Sequence, residues 1–149
     1  MPTAENHPRL LLDTHVWIWL LEGVQGSLSA RAMELLNRSS THGRLLVSVI
    51  SVWEVAILVA KRRISLTQPL DVWVSAGLSA PGVRLAPLTP EIAIESTRLP
   101  GVLHGDPADR IMIATARAMA ASLMTCDRAI LGYANAGHLQ ALDARVIDR

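Results

Sequence analysis

The chain has 149 residues, half of them apolar, and a formal net charge of +1. This length predicts a single domain over residues 1–149 with a sizeable core, and the composition excludes a disordered or fibrous chain. No apolar run reaches the ~20 residues of a membrane-spanning helix, and the first residues lack the pattern of a signal peptide. The single cysteine, Cys126, excludes an internal disulfide and fits a reducing compartment, so we expect a cytoplasmic protein. The near-neutral charge neither favours nor excludes nucleic acid as a partner.

Short apolar runs alternate with helical patterns along the chain. Residues 1–8 are expected to form a flexible N-terminal extension. Strand patterns follow at 9–13, 43–48, 83–88 and 122–126, and a fifth strand is expected within 139–147. Helical patterns occupy 14–23, 27–38, 49–64, 70–79, 89–97, 107–121 and 127–135. This alternation is typical of an α/β fold with a mainly parallel sheet.

Two aspartates directly follow apolar strand patterns. Asp13 ends the first of these patterns, Asp127 follows the fourth, and each precedes a helical segment. Ligands of open α/β sheets bind at the carboxyl ends of the strands, so both aspartates are expected at the functional edge. Each also has the position of a helix N-cap, and the pattern leaves the two roles equally open.

Glu54 lies in a segment in which nearly every neighbour is apolar. Helical spacing places it on one face with Ile50 and Ile57, facing the core or a cleft. A carboxylate is rarely buried without a partner or a metal ion, which favours a functional role. The alternative is a capping box with Ser51 as the N-cap and Glu54 at N3, although the helical pattern begins earlier, at about Val49.

The stretch HGDPADR (104–110) contains two aspartates at the start of a helical pattern. Asp106 followed by Pro107 predicts an N-cap and the first helical residue. Asp109 then falls at N3, where a negative charge suits the helix dipole. Capping explains both residues without any chemistry, and which of the two would be a direct ligand stays open. We interpret His104 as a solvated or hydrogen-bonding residue.

If the strands are parallel, Asp13, Glu54, Asp109 and Asp127 converge at one end of the sheet. Carboxylates without a counter-charge repel one another, and a hard divalent cation such as Mg²⁺ or Mn²⁺ removes that repulsion. The His and Cys spacings of a zinc site are absent. An acidic metal site fits phosphodiester hydrolysis, because the metal activates water and stabilises charge on the phosphate.

Four segments, LLLDTHVWIWL, LLVSVISVWEVAILVAKRRI, HGDPADRIMIATARA and LMTCDRAIL, together resemble the PIN-domain family. The resemblance is to the VapC-like ribonuclease toxins of type II bacterial toxin–antitoxin systems, and it covers nearly the whole chain. It implies a three-layer α/β/α sandwich with a mainly parallel central sheet. It also implies a Mg²⁺- or Mn²⁺-dependent ribonuclease whose acids match Asp13, Glu54, Asp109 and Asp127. All four positions hold acids, which argues against an inactive member.

The resemblance also implies a role for each acid. Asp13 and Asp109 are expected to be direct metal ligands, and Asp127 a ligand directly or through water. Glu54 is expected to hold a metal-bound water or to orient the attacking one. The residues expected to support them, by capping or hydrogen bonding, are Asp106, Thr14, Ser51 and Thr125.

Substrate and partner contacts follow from the same resemblance. Arg110 and Arg128 each follow a candidate ligand and are candidates for contacts with RNA phosphates, with a salt bridge to a neighbouring acid as the alternative. A small antitoxin is expected to cover the acidic groove, and the chain is expected to form a homodimer. The segments VWIWLL (16–21) and VWEVAIL (52–58) are candidates for the self-association surface, with the core as the alternative.

Three other functions can be compared with this one. A phosphoacceptor receiver domain requires paired acids after the first strand and a lysine after a late strand, whereas this chain has Asp13 alone and Lys61 in a helical segment. A haloacid-dehalogenase-like phosphatase requires Asp-x-Asp at the position of Asp13-Thr14-His15. The alternative that remains is a non-catalytic PIN-like module that binds RNA or protein without cleavage.

Overall fold

A computed structural model describes residues 8–24 and 26–145. The described strands are β1 (Leu10–Leu12), β2 (Leu45–Ser48), β3 (Val83–Ala86), β4 (Ser122–Thr125) and β5 (Ala141–Asp143). The described helices are α1 (Thr14–Glu22), α2 (Ala30–Thr41), α3 (Val49–Ala60), α4 (Leu70–Ser79), α5 (Pro90–Glu95), α6 (Pro107–Ala118) and α7 (Arg128–Asn135). The predicted extension over 1–8 lies, apart from Pro8, outside the described residues.

Each predicted strand and helix is present, with ends that differ by a few residues. The first helix ends at Gly23, which takes a left-handed φ of 66° and donates its backbone N–H to Trp19 O. The third ends at Ala60, before the predicted end at 64, because Arg62 turns the chain with a φ of 56°. Local capping and turn geometry therefore set the ends of these two helices, which the hydrophobic periodicity of the sequence does not report.

The five strands form one parallel sheet in the order β3-β2-β1-β4-β5. The chain moves outward from β1 through β2 to β3, and then returns to the other side of β1 with β4 and β5. Leu12 at the end of β1 is in register with Met124 of β4. The order thus reverses between β1 and β4, and ligand sites of such sheets lie outside the carboxyl ends at that point.

Both faces of the sheet are covered. Leu10 and Leu12 pack with α1, α2, α3 and α4 on one face, whereas Leu11 packs with α6 and α7 on the other. Successive side chains of a strand point to opposite faces, which is why β1 is apolar at every position. The predicted α/β/α sandwich with a parallel central sheet is confirmed.

Trp17 is part of the core. Its side chain is 1% exposed, and its ring meets Trp73 edge-on with centroids 4.8 Å apart. A Cβ atom on Gly77 would lie 2.6 Å from Leu21 Cδ1 and 3.0 Å from the buried Trp17 ring, so the absence of a side chain there allows α4 to approach α1 closely. Val16, Trp17 and Ile18 of the predicted self-association segment 16–21 are therefore core. Across 8–24 and 26–145, no helix has the length and apolar character needed to span a membrane.

Candidate active site

Asp13 connects the ends of β1 and β4. It is the N-cap of α1, and its Oδ1 accepts the Thr14 backbone N–H at 2.8 Å. Its Oδ2 accepts the Thr125 hydroxyl at 2.6 Å. Thr125 is fully buried at the end of β4, and its Oγ1 also accepts the Asp127 backbone N–H at 3.0 Å. One buried hydroxyl therefore holds the segments that carry two of the candidate ligands.

Asp127 is the N-cap of α7. Its Oδ1 accepts the Ile130 backbone N–H at 3.0 Å. Oδ2 forms no hydrogen bond with any residue that the structure describes, so one oxygen serves the helix and the other is free to bind a ligand. The two roles that the sequence left open for this residue are therefore compatible.

Glu54 lies inside α3 and contacts α1. The N-cap of α3 is Ser48, whose Oγ accepts the Ile50 backbone N–H at 3.1 Å. Ser51 is therefore not an N-cap, and the capping-box alternative is wrong. Thr14 Oγ1 donates to Glu54 Oε1 at 2.6 Å and lies 3.1 Å from the buried Ser51 hydroxyl. These contacts fix the Glu54 carboxylate against α1.

Asp106 and Asp109 have different tasks at the start of α6. Asp106 is the N-cap, and its Oδ1 accepts the Asp109 backbone N–H at 3.1 Å. The Asp109 carboxylate caps nothing; its Oδ2 lies 3.0 Å from His104 Nε2. The partnership between His104 and Asp109 was missed in the sequence because a loop residue five positions earlier carries no helical periodicity.

Arg110 and Arg128 differ in their surroundings. Arg110 donates its Nε to the Ser96 carbonyl at 2.8 Å and its Nη1 to the carbonyls of Leu103 and His104, so it holds the loop before α6. Arg128 is exposed. Neither forms an ion pair with an acid in the part of the chain that the structure describes. Their contacts with RNA phosphates stay predictions.

The charge of Asp109 is the least favourable in the site. Burial is the largest cause that raises the pKa of Asp109, to about 7. The further causes, in decreasing order, are the charges of Asp106, Asp13, Asp127 and Glu54. The charges of three aspartates at helix starts and of Glu54 in α3 thus all raise the pKa of the Asp109 carboxyl.

The pKa values of Asp13 and Glu54 are raised by the same two causes, burial and neighbouring negative charges. Burial raises the pKa of Asp13, against the hydrogen bonds from Thr125 and Thr14, and the Asp127 charge adds to the rise. Burial also raises the pKa of Glu54, with the Asp13 charge adding to it and the Thr14 hydrogen bond opposing it. Acids with raised pKa values that lie together at the carboxyl edge of a parallel sheet mark a candidate functional site.

The acids share one edge of the sheet without forming a closed ligand set. Within the described ranges, no three His, Cys, Asp or Glu side chains are grouped closely enough to hold a metal ion. Their donor atoms are nevertheless all carboxylate oxygens, the type that Mg²⁺ and Mn²⁺ prefer. The repulsion around Asp109 is also of the kind that a cation would relieve.

A parallel α/β sandwich with perturbed acids at the carboxyl edge defines the class of fold and site. Residues 10–135 match the family model of the PIN domain, and the chain belongs to the PIN-domain family. Ribonuclease VapC22 of Mycobacterium tuberculosis is 36% identical over 124 residues, which cover 83% of this chain and 91% of that protein. The predicted family and the similarity to VapC proteins are confirmed.

Solved structures with low sequence identity share the fold. DNA-bound VapBC from Salmonella typhimurium has a TM-score of 0.64 and 16% identity, over 91% of this chain and 98% of that one. A toxin–antitoxin complex from Klebsiella pneumoniae has a TM-score of 0.61 and 18% identity, over 93% and 99%. These likenesses establish the architecture alone.

Proposed function

We propose that this chain is a metal-dependent endoribonuclease, the toxin of a toxin–antitoxin pair, that hydrolyses RNA phosphodiester bonds. The observation that carries the proposal is the set of acids around Asp109, whose pKa is raised to about 7. Such repulsion works against folding, and functional sites are where folds retain it. Identity of 36% to a protein named as a ribonuclease supports the reaction class.

The candidate ligands follow from the contacts already made by each acid. Asp13 and Asp109 would hold Mg²⁺ or Mn²⁺ directly, and Asp127 would do so directly or through water with its Oδ2. The bound ion would lower the pKa of a water molecule and stabilise charge on the phosphate.

The protein itself fixes the acids and handles the attacking water. Thr125 and the Thr14 backbone N–H hold Asp13 in one orientation. Thr14 Oγ1 occupies Glu54 Oε1, which leaves Oε2 to hold and orient a water. Asp106 caps α6 and so fixes the backbone that carries Asp109. Support of this kind is what keeps a catalytic constellation in its productive geometry.

The proposed partners are RNA, a small antitoxin that covers the acidic groove, and a second copy of the chain, all in the cytoplasm. The proposal of an antitoxin partner is supported by the fold that this chain shares with a solved toxin–antitoxin complex. Self-association is proposed without an assigned surface, because Val16, Trp17 and Ile18 of the first predicted segment are buried and the 52–58 segment lines a cleft beside Glu54.

The first experiment is a cleavage assay of the purified protein on total RNA with Mg²⁺, with Mn²⁺ and with EDTA. Asp13→Asn is the test variant, because asparagine retains the N-cap while the charge is lost. Glu34→Gln, an exposed acid on α2, is the matched control. We expect discrete fragments that require metal, persist in the control and disappear in Asp13→Asn.

One observation favours the alternative of a non-catalytic module: the described acids are not grouped closely enough to hold a metal ion. Absence of cleavage by folded, antitoxin-free, metal-loaded protein across a broad RNA panel would establish that alternative. Cleavage that persists in Asp13→Asn would instead identify a contaminating nuclease.

A further inference from the structure

An open cleft runs from the candidate active site along α3. Trp53, Ile57 and Lys61 are spaced four residues apart, so they form one stripe along the helix. Together with His15 of α1 and the start of α6, they line a cleft of about 280 Å³. Glu54 lines the same cleft, which therefore opens directly beside the acids. We call it the Trp53 cleft.

Trp53 offers an aromatic surface in this cleft. Its side chain is 54% exposed, although tryptophan is a residue that folds usually bury to a large extent. The helix packs against the core through the buried Val55 and the partly buried Val52, Leu58 and Val59, without Trp53. The exposed indole therefore has no task in the core.

Lys61 places a positive charge in the lining of the Trp53 cleft, and two arginines follow it in the chain. Lys61, the only lysine of the chain, is followed by Arg62 and Arg63, and all three are exposed. None of the three forms an ion pair with a residue of the described ranges. Lys61 lies seven positions after Glu54, which is about 10 Å along the helix axis. One strand of nucleic acid can thus reach the acids and the basic run together.

We propose that the Trp53 cleft binds an unpaired nucleotide beside the scissile bond, with its base stacked on Trp53. The flanking phosphate lies at the basic run from Lys61 to Arg63. Exposed aromatic rings next to basic side chains are how proteins bind single strands with little sequence preference. Bases in duplex RNA are already stacked, so the cleft selects single-stranded substrate. This inference rests on the proposed function.

A polypeptide partner is the competing occupant. An apolar peptide would cover Trp53 and Ile57, but it has no use for Lys61, a cation in the lining of the cleft that forms no ion pair with the described residues. Lys61 gives the cleft a contact for phosphate about 10 Å along the helix axis from Glu54, which favours RNA.

The test is a binding titration in the Asp13→Asn background with Mg²⁺, so that the RNA stays intact. The probes are a fluorescein-labelled single-stranded polyuridine oligonucleotide, its abasic analogue and a blunt RNA duplex, followed by fluorescence anisotropy. Trp53→Leu retains apolar contact but not stacking, and Trp53→Phe retains both. We expect Trp53→Leu to weaken binding of polyuridine about tenfold and Trp53→Phe to weaken it much less. Neither change should alter binding of the abasic probe, and the duplex should bind more weakly than the single strand.

The basic run is tested by salt dependence. Lys61→Ala should reduce the slope of log Kd against log salt by about 0.7 for a single strand, and Lys61→Arg should restore it. Arg38→Ala, at the end of α2 that leads to the amino edge of the sheet, is the matched control and should leave the slope unchanged. In protein that retains Asp13 and can cleave RNA, Trp53→Leu should raise KM for RNA and leave kcat unchanged.

Two results would overturn the inference. If Trp53→Leu and Lys61→Ala bind polyuridine like the parent while wild-type protein cleaves RNA, the cleft does not hold RNA and the proposed function stands. Loss of antitoxin binding in those same variants would then identify a polypeptide as the occupant. If the unmodified protein neither binds nor cleaves any RNA, the proposed function and this inference fail together.

Discussion

The acids at the carboxyl edge fall into two groups that the fold treats differently. The capping aspartates, Asp13, Asp106 and Asp127, each begin a helix and accept a backbone N–H. The non-capping acids, Glu54 and Asp109, lie inside helices, and among the described residues their carboxylates form hydrogen bonds with the side chains of Thr14 and His104. Both groups lie at one edge, so position alone does not explain the difference.

This difference separates folding from function. An N-cap is worth about 1 kcal/mol to a helix, so the capping aspartates would be retained even without chemistry. The carboxylates of the non-capping acids accept no backbone N–H among the described residues, and burial raises the pKa of both. Their presence is therefore explained by a task other than stability.

The largest expected effect is on catalysis, at Glu54. Glu54→Gln should reduce RNA cleavage by at least about 100-fold, because the orienting carboxylate is lost while the Thr14 contact survives. The thermal midpoint should stay equal or rise, since the raised pKa of Glu54 means that its charge opposes folding at neutral pH. Cleavage kinetics and thermal unfolding measure the two effects, with Glu34→Gln as control. Unchanged cleavage would remove Glu54 from the mechanism.

The next effect is a pH-dependent stability at Asp109. Its pKa rises from 3.8 to about 7 on folding, so the unfolded chain releases this proton at a lower pH than the folded one. The free energy of unfolding therefore falls as pH rises from about 4 to about 7, because Asp109 ionises in the unfolded chain before it ionises in the folded one. Asp109→Asn should remove this loss, making the metal-free variant about 1–2 kcal/mol more stable than wild type at about pH 8 and equal at about pH 4.

Urea unfolding in metal-free buffer at the two pH values measures this difference. A destabilisation by Asp109→Asn as large as a core truncation, about 2–5 kcal/mol, would instead make Asp109 a structural residue.

A capping aspartate should behave in the opposite way. Asp127→Ala should destabilise the protein by about 1 kcal/mol, because the Ile130 backbone N–H loses its acceptor. Asp127→Asn should retain that stability and still lose cleavage, since only the charge is gone. Chemical denaturation beside the cleavage assay separates the two changes. Equal stability of the two variants would show that the cap is dispensable.

The smallest effect is expected at Asp106. Asp106→Asn should stay within about 0.5 kcal/mol of wild-type stability, since asparagine caps as well as aspartate. Cleavage should fall only a few-fold. If Asp106→Asn abolishes cleavage and Asp109→Asn does not, the ligand assignment between them is reversed; parallel activity assays decide this.

Local features of the site were predictable from the sequence. The caps at Asp13, Asp106 and Asp127 were legible because a cap depends on residues a few positions away. Apolar strands buried on both faces were also legible as short runs. The start of α3 at Val49 was also legible, and it contradicts the alternative of a capping box at Ser51.

Long-range features were not predictable in the same way. The hydrogen bond from Thr14 to Glu54 spans 40 residues, and no periodicity reports such a contact. The order of the strands in the sheet likewise cannot be read from a single sequence. The two tryptophan segments show the same limit: Trp17 is buried and Trp53 exposed, although both lie in similar apolar surroundings along the chain.

The hydrogen bond between Thr125 and Asp13 joins residues 112 positions apart through adjacent strands. The relative placement of Asp13 and Asp127 therefore depends on a contact across the sheet and not on the length of the chain between them. A change in the length of the chain between β1 and β4 therefore does not by itself separate these two acids, as long as the two strands stay paired. The centre of the site is in this sense modular: the sheet fixes it, and the loops add the groups around it.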